Sequence, residues 1–139
     1  MAGMNLSRIL IGGIVTGLIV FVCEGIANMF YDEQVTAALT EMGKSMEMSA
    51  SAFGLIITSC VLSGVVAIFF YAAVRPRLGP GPKTAILVVL GLYLGGYVPT
   101  LIGYRLMGMF SGLLLAWAVI GLVEMILAVL VGSWIYKEA

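Results

Sequence analysis

The sequence contains no histidine and few charged residues. Seven basic and seven acidic side chains make up 10% of its 139 residues, and the net charge is zero. A soluble domain carries about 25% charged residues because its surface faces water. Without histidine, the chain lacks the commonest general base and the commonest metal ligand. We therefore expect no catalytic residues, no metal and no cofactor, and the lack of a basic stretch excludes a nucleic-acid partner.

Cysteine is also scarce. Cys23 and Cys60 lie far apart in the sequence and form no CxxC motif, which excludes a zinc knuckle and a dithiol redox motif. Buried cysteines are more often small packing residues than disulfide partners, and we expect the same of this pair.

Hydrophobic residues, in contrast, make up 62% of the chain. A helix needs about 20 apolar residues to cross the ~30 Å hydrocarbon layer, and the runs of that length are 9–31, 49–74, 84–104 and 109–136. Only Glu24 and Glu124 interrupt them. A central acid costs roughly 3 kcal/mol to insert, which the Leu, Ile and Val residues of the fourth run outweigh at roughly 0.3–0.6 kcal/mol each. Residues 1–139 are therefore predicted to form a single all-α membrane domain, a four-transmembrane-helix bundle.

The positive charges predict the orientation of this bundle. No signal-peptidase site follows the first run, so we expect it to be retained, and both termini then share a side with the loop between helices two and three. The basic residues of that side are Arg8, Arg75, Arg77, Lys83 and Lys137. The opposite side has Lys44 and Arg105. Because cytoplasmic loops carry the excess of Lys and Arg, we expect both termini in the cytoplasm or its topological equivalent.

Proline and glycine dominate the connection between the second and third helices. Pro76 is predicted to stop the second helix, because the residue before a proline avoids the α region, and Pro82 is predicted to start the third. Arg75, Arg77 and Lys83 would attract anionic lipid headgroups, so membrane lipids are expected partners. A helix N-terminus after such a loop can also hold a phosphate, although the sequence has no GKS or GxGxxG motif there.

The connection between the first and second helices, residues 32–48, has apolar residues at helical spacing. They are Val35, Ala38, Leu39, Met42 and Met46. Asp32 is a suitable N-cap for this segment, and Gly43 is a suitable end. We expect a short interfacial helix that lies on the outer surface of the membrane.

Glu24 and Glu124 are the only ionisable residues deep within the apolar runs. Such residues are costly in a membrane and usually face the bundle interior. Both lie on helix faces with small or polar neighbours, which suit helix contacts in lipid. With a rise of 1.5 Å per residue, Glu24 is expected roughly 10 Å and Glu124 roughly 20 Å below the outer edge. The two carboxyl groups therefore need not meet.

Two interpretations of these acids remain open. As neutral acids they donate and accept hydrogen bonds, and so can join helices. Alternatively, they form a proton, ion or substrate site together with Asn28 and Arg105. In that site, Arg105 would be the counter-ion of Glu24, whereas in the other interpretation it extends to lipid headgroups.

One face of the third helix carries aromatic and hydroxyl side chains: Tyr93, Tyr97, Thr100 and Tyr104. Pro99 lacks a backbone N–H and is expected to kink this helix. Together with Trp117 of the fourth helix, this face can line a pocket for a lipid, a quinone or an aromatic solute. The alternative is an aromatic belt at the membrane interface, with a kink that serves packing.

The segment 71–85, YAAVRPRLGPGPKTA, resembles a run in small four-span bacterial inner-membrane proteins without an assigned activity. The likeness extends to Gly12-Gly13 and Glu24 in the first helix and Glu124 in the fourth. It covers most of the chain and implies the same topology and a bacterial cytoplasmic (inner) membrane. Glu24 is also similar in position to the first-helix glutamate of the small multidrug resistance transporters. This chain departs from those transporters in its charge bias, its outer segment, its inner loop and its second deep acid.

Pairs of small residues four positions apart are typical of close helix packing in membranes. They are Gly13 and Gly17, Ser59 and Ser63, Cys60 and Gly64, Gly91 and Gly95, and Gly108 and Gly112. The first expectation is therefore a non-catalytic membrane protein, an accessory subunit of a larger membrane complex or a homo-oligomer. An alternative is a proton-coupled carrier or pore for a small solute that uses Glu24 and Glu124. A second alternative is a membrane enzyme that acts on a lipid or a quinone.

Overall fold

The computed structural model describes residues 4–45 and 49–137, and no strand occurs in these ranges. The helices are α1 Leu6–Glu41, α2 Ala50–Leu78, α3 Pro82–Leu92, a π-helical turn (the π-turn) at Tyr93–Tyr97, α4 Val98–Leu106 and α5 Leu114–Ile135. α3, the π-turn and α4 follow one another as a single span, Pro82–Leu106. Four spans are thus long and apolar enough to cross a membrane. This confirms the predicted all-helical fold and supports an integral membrane protein.

α1 is longer than predicted. It continues past Tyr31, whose φ of −129° and ψ of 16° mark a kink, and it ends at Glu41. The expected outer helix is therefore the last part of α1, and Asp32 lies within the helix instead of capping it. Burial of Val35 favours this continuation, because the helix can extend over the bundle without exposing that side chain. Met46 lies outside the described residues, and an interfacial position for this segment stays a prediction.

Two glycines in the left-handed region follow the ends of α1 and α2. Gly43 has a φ of 69° and Gly79 a φ of 83°, and the Gly79 N–H donates to the Arg75 carbonyl at 2.9 Å. The prediction that Pro76 stops α2 is wrong. This proline sits in the last turn, where its missing N–H removes only one backbone hydrogen bond. Pro82 occupies the first turn of α3 as predicted.

We call the end with the start of α1, the α2–α3 loop and the end of α5 the inner end, and the opposite one the outer end. In the inner half, small residues bring α1, α2 and α5 into close contact. A Cβ at Gly132 would lie 2.7 Å from the Gly12 carbonyl oxygen, and one at Gly17 would lie 2.5 Å from the α2 backbone. The Thr16 hydroxyl donates to the Gly12 carbonyl oxygen at 2.8 Å, and it lies 3.3 Å from the carbonyl oxygen of Ala128. These contacts fix the register of α1 against α5.

α5 begins five residues later than the predicted fourth span, which was expected to start at 109. Residues 107–113 form a loop in which Gly108 has a φ of 71° and Phe110 a φ of 53°. A left-handed conformation is costly for phenylalanine. Its ring packs on Trp117 with 5.1 Å between centroids, and this contact helps to offset the cost. The last two spans are therefore joined by a loop of seven residues at the outer end, longer than the predicted bounds of 104 and 109 imply.

Candidate functional site

The register of α1 and α5 brings the two intramembrane acids together. Thr16 lies opposite Ala128. Glu24 is eight residues from Thr16 toward the outer end, and Glu124 is four residues from Ala128 in the same direction. The two acids therefore differ by roughly 6 Å in depth at 1.5 Å per residue. Both side chains line the same cavity, and their carboxyl groups are close enough to interact electrostatically.

The prediction that these acids need not meet is thus wrong. That prediction measured the depth of each acid from the expected outer end of its apolar run, and in the structure the two helices end elsewhere. α1 passes Tyr31 without ending, and α5 begins at Leu114. Helix packing, not the length of each apolar run, decides which residues share a level.

The two acids have different surroundings. Glu124 is 5% exposed, and its Oε2 atom is buried without a hydrogen-bond partner among the described residues. Glu24 is half-buried, with the Tyr31 hydroxyl 3.4 Å from its Oε2 atom. Asn28 donates its side-chain N–H to the Glu24 backbone carbonyl at 2.9 Å, so it braces α1 and does not bind the carboxyl group. A hydrogen bond between the carboxyl groups requires a proton on one of them, because an ionised carboxylate only accepts.

Both acids line one cavity of about 520 Å³ between α1, α2, the π-turn and α5. Its polar lining residues are Glu24, Ser59, Ser63, Tyr93, Tyr97, Thr100 and Glu124. Among the residues that the structure describes, no lysine or arginine lines this cavity. We call it the acid cavity. Small-molecule sites have volumes of about 300–1,000 Å³, so the acid cavity is large enough for a small solute.

The π-turn positions two tyrosines of this cavity. The Val98 N–H donates to the Tyr93 carbonyl, five residues back, and Pro99 follows in the first turn of α4. The wider turn accommodates the missing proline N–H, so the expected kink takes the form of a π-turn. The Tyr93 and Tyr97 rings lie 5.2 Å apart between centroids. Gly121 leaves room for Tyr97, because a Cβ there would lie 3.0 Å from its ring.

The tyrosine hydroxyls are anchored on α5. Tyr93 donates to the Ala118 carbonyl in a short hydrogen bond, and Tyr97 donates to that of Trp117 at 3.4 Å. Their hydroxyls are therefore occupied, and their rings are the part of these side chains that a ligand in the cavity can contact.

A second, smaller cavity of about 270 Å³ lies next to the acid cavity toward the outer end. The two cavities share Glu24, Tyr97 and Thr100. The structure places Tyr104 and Trp117, predicted to line the same pocket as Tyr93, in this outer cavity. Asn28 lines it as well.

An aromatic cluster adjoins the outer cavity. Trp117 lies 6.2 Å from Tyr31, 6.4 Å from Tyr104 and 5.1 Å from Phe110 between ring centroids. Sequence reasoning did not assign Tyr31 or Phe110 to the site. Tyr31 had a usable signal, since it lies seven residues after Glu24 and so on the same helix face.

The acid cavity opens sideways between α2 and the π-turn. α2 packs against α3, but few contacts join it to the π-turn or α4. Ser59 and Ser63 are exposed although they line the cavity, and Gly95 and Gly96 are exposed on the other side of the gap. The two serines were expected only as helix-packing residues, because their role depends on how α2 diverges from its neighbour.

Several predicted site residues lie elsewhere. Arg105 donates to the Ser111 hydroxyl at 3.1 Å and lines neither cavity, so it does not act as a counter-ion of Glu24 in this structure. The Arg75 guanidinium lies 5.5 Å from the Tyr136 ring centroid at the inner end. Arg77 and Lys83 are exposed near it.

Cys23 and Cys60 are free thiols, as expected. Cys60 also lines the acid cavity.

Comparisons with protein-family models, with curated proteins and with solved structures gave no significant match. The function is therefore inferred from the geometry of the site.

Proposed function

We propose that this chain is a proton-coupled carrier that binds a small cationic solute at Glu24 and Glu124. One observation carries the proposal: two carboxyl groups share a solute-sized cavity within apolar helices, and no cationic side chain of residues 4–45 and 49–137 lines it. Intramembrane acids are costly and usually mark ion or substrate pathways.

The hydrogen bonding of Glu124 favours a binding role over a purely structural one. An acid that only joins helices is expected to have its polar atoms satisfied, because an unpaired buried group lowers stability. The Oε2 atom of Glu124 is buried and has no hydrogen-bond partner in the part of the chain that the structure describes. A cation, or a water molecule that accompanies it, would supply the missing partner.

The pair of acids can exchange one proton for one cation. When the carboxyl groups share a hydrogen bond, they hold one proton and one negative charge. An entering monovalent cation displaces that proton, so the charge of the site is the same before and after exchange. The faces of Tyr93 and Tyr97 add a cation–π attraction, which favours organic cations over strongly hydrated metal ions.

The two cavities suggest a path for the solute. They share Glu24, Tyr97 and Thr100, so a solute can pass from the aromatic cluster at the outer end to the acids. Opening and closing would then involve the kink at Tyr31 and the loop that carries Phe110.

Proteoliposomes that contain the purified chain and an internal pH dye test the proposal. We expect tetraethylammonium to drive proton movement in the opposite direction. Glu24→Gln and Glu124→Gln should each lower the rate by about tenfold or more, because a buried charged partner is lost. Glu33→Gln, at an exposed position of α1, is the matched control. Wild-type rates in both Gln variants, or no proton movement with any monovalent cation, would exclude the carrier.

A second candidate is the accessory subunit or homo-oligomer, and it rests on a different face. Gly91 and Gly95 have the spacing of a helix-contact motif, yet a Cβ at either would meet nothing within 4 Å. Their face is open to another helix. Native mass in mild detergent tests this candidate: Gly91→Leu should convert an assembly to the monomer, whereas Gly54→Leu, also at an open position, should not. A wild-type chain that is already monomeric would contradict it.

We further propose that both termini are cytoplasmic in a bacterial inner membrane. Arg8, Arg75, Arg77, Lys83 and Lys137 all belong to the inner end, which supports that orientation. Single cysteines introduced at Lys83 and Lys44, in a chain without Cys23 and Cys60, test it in cells. A membrane-impermeant thiol reagent should label the cysteine at position 44 only, and the reverse pattern would contradict the proposal.

A further inference from the structure

A separate cavity of about 760 Å³ lies at the inner end, where α2, the α2–α3 loop and the end of α5 meet. Arg75 and Lys137 line it on one side. Leu130, Val131 and Trp134 of α5 form an apolar wall. We call it the inner cavity, and none of its lining residues belongs to the acid cavity.

The polar side of the inner cavity is built from packed aromatic residues. The Arg75 guanidinium lies 5.5 Å from the Tyr136 ring centroid, and the Tyr136 ring meets that of Tyr71 edge-on at 6.1 Å. The Tyr71 hydroxyl accepts a hydrogen bond from the Gly81 N–H at 3.0 Å, which ties the loop to α2. The Arg75 guanidinium is therefore held in place by its contact with the Tyr136 ring.

Tyr136 also has an unmet hydrogen bond. The residue is 3% exposed, and its hydroxyl is buried without a partner among the described residues. A buried hydroxyl without a partner is unusual. Because Tyr136 lines the inner cavity, an oxygen-rich ligand there could satisfy it directly or through water.

The glycine N–H groups of the α2–α3 loop already have partners within the chain. The Gly79 and Gly81 N–H groups donate to the Arg75 carbonyl and the Tyr71 hydroxyl. Pro80 and Pro82 have no N–H. The loop glycines therefore offer no free donor to an anion, and the cationic side chains that line the cavity are Arg75 and Lys137.

The apolar wall continues the cavity toward the hydrocarbon. Trp134 is 84% exposed and Val131 is 42% exposed on a helix that spans the membrane. A soluble anion would gain nothing from contact with an apolar wall, whereas a lipid presents both an anionic headgroup and an acyl chain. Tryptophan is also enriched where the headgroups meet the hydrocarbon.

We propose that the inner cavity binds one anionic phospholipid, with its phosphate between Arg75 and Lys137 and an acyl chain along Leu130, Val131 and Trp134. Charge complementarity supports this occupant. The acids of the described residues lie in the spans or at the outer end, whereas the inner end is basic. Glu138 follows Lys137 in the sequence and lies outside the described residues. The proposal is independent of the carrier function.

Native mass spectrometry of the detergent-purified chain tests this site, with phosphatidylglycerol and phosphatidylcholine of the same acyl chains as probes. We expect one phosphatidylglycerol per chain to bind at least about fivefold more tightly than phosphatidylcholine. Lys137→Gln should weaken phosphatidylglycerol binding by about fivefold, the effect of one charge near a headgroup. Lys83→Gln removes an exposed cation of the same end that does not line the cavity, and it should change binding little.

Further variants separate a lipid site from general attraction. Trp134→Ala should weaken the binding of both lipids. Arg75→Lys keeps the charge but not the planar stack on Tyr136, and it should weaken the binding of phosphatidylglycerol while the protein stays folded. Equal losses in Lys137→Gln and Lys83→Gln, or equal affinity for the two lipids, would overturn the proposal. Competition by glycerol phosphate as strong as by the whole lipid would also overturn it, because the site would then bind a soluble phosphate.

Discussion

The inner and outer halves of this bundle are built differently. In the inner half, Gly12, Thr16 and Gly132 hold α1 against α5 with little space between the backbones. In the outer half, α2 diverges from the π-turn, and two acids face a cavity. The inner half therefore maintains the register on which the outer half depends. Close packing of α1 against α5 and the acid cavity thus lie at different levels of the bundle, and substitutions at the two levels should have different consequences.

The largest expected effect is at the helix contact of the inner half. Gly132→Leu should destabilise the fold by about 3 kcal/mol or more, because overpacking of a tight contact forces backbones apart. A Cβ there would meet the Thr16 hydroxyl and the Gly12 carbonyl oxygen. Gly54→Leu is the control, at a position where a Cβ meets nothing within 4 Å. Thermal unfolding in detergent measures both, and equal midpoints would show that the inner half is not tightly packed.

Substitution of an acid in the acid cavity should change the stability of the fold in the opposite direction. Glu124→Leu should raise stability by about 1–3 kcal/mol, because it removes a buried carboxyl oxygen, Oε2, that has no hydrogen-bond partner among the described residues, and it should abolish exchange. Thr16→Val, which deletes a satisfied hydroxyl of similar burial, should lower stability by about 1 kcal/mol. The same unfolding assay compares them. If Glu124→Leu were less stable than the wild type, the acid would be part of the packing and the contrast between the halves would fail.

The smallest expected difference lies between the two tyrosines of the π-turn. Tyr93→Phe removes a short hydrogen bond to the Ala118 carbonyl and should cost about 1 kcal/mol. Tyr97→Phe removes a hydrogen bond of 3.4 Å and should cost less, since bonds beyond the usual range of about 2.7–3.2 Å are weak. Because the ring faces remain, both variants should retain tetraethylammonium binding. A loss of binding in either would assign the hydroxyl, not the ring, to the solute.

Some features of the site could be predicted from single helices. The inward direction of Glu24 and Glu124 follows from the small and polar residues on their faces, and the shared face of Tyr93 and Tyr97 follows from helical spacing. The shape of the helix at Pro99 could not be predicted to the same degree. A proline in the sequence indicates that one backbone hydrogen bond is missing. Whether the helix then bends or widens into a π-turn depends on how the neighbouring helices pack against it.

Other features needed partners that are distant in the sequence. Ser59 and Ser63 line the acid cavity only because α2 diverges from the π-turn there, and nothing local to α2 signals that divergence. Tyr136 and Arg75 meet only because α5 ends beside the last turn of α2. In the same way, the continuation of α1 past Tyr31 depends on the burial of Val35 over the bundle.

The sequence by itself determined four helical spans and two inward-facing acids, together with a strongly basic inner end. These follow from the solvent, because hydrocarbon requires that each crossing be helical, apolar and satisfied in its backbone hydrogen bonds. The tertiary structure alone decided that Glu24 and Glu124 share one cavity. Relative depth between helices is fixed by contacts such as Thr16 with Ala128 and Gly12 with Gly132. Such contacts join residues that no local pattern connects.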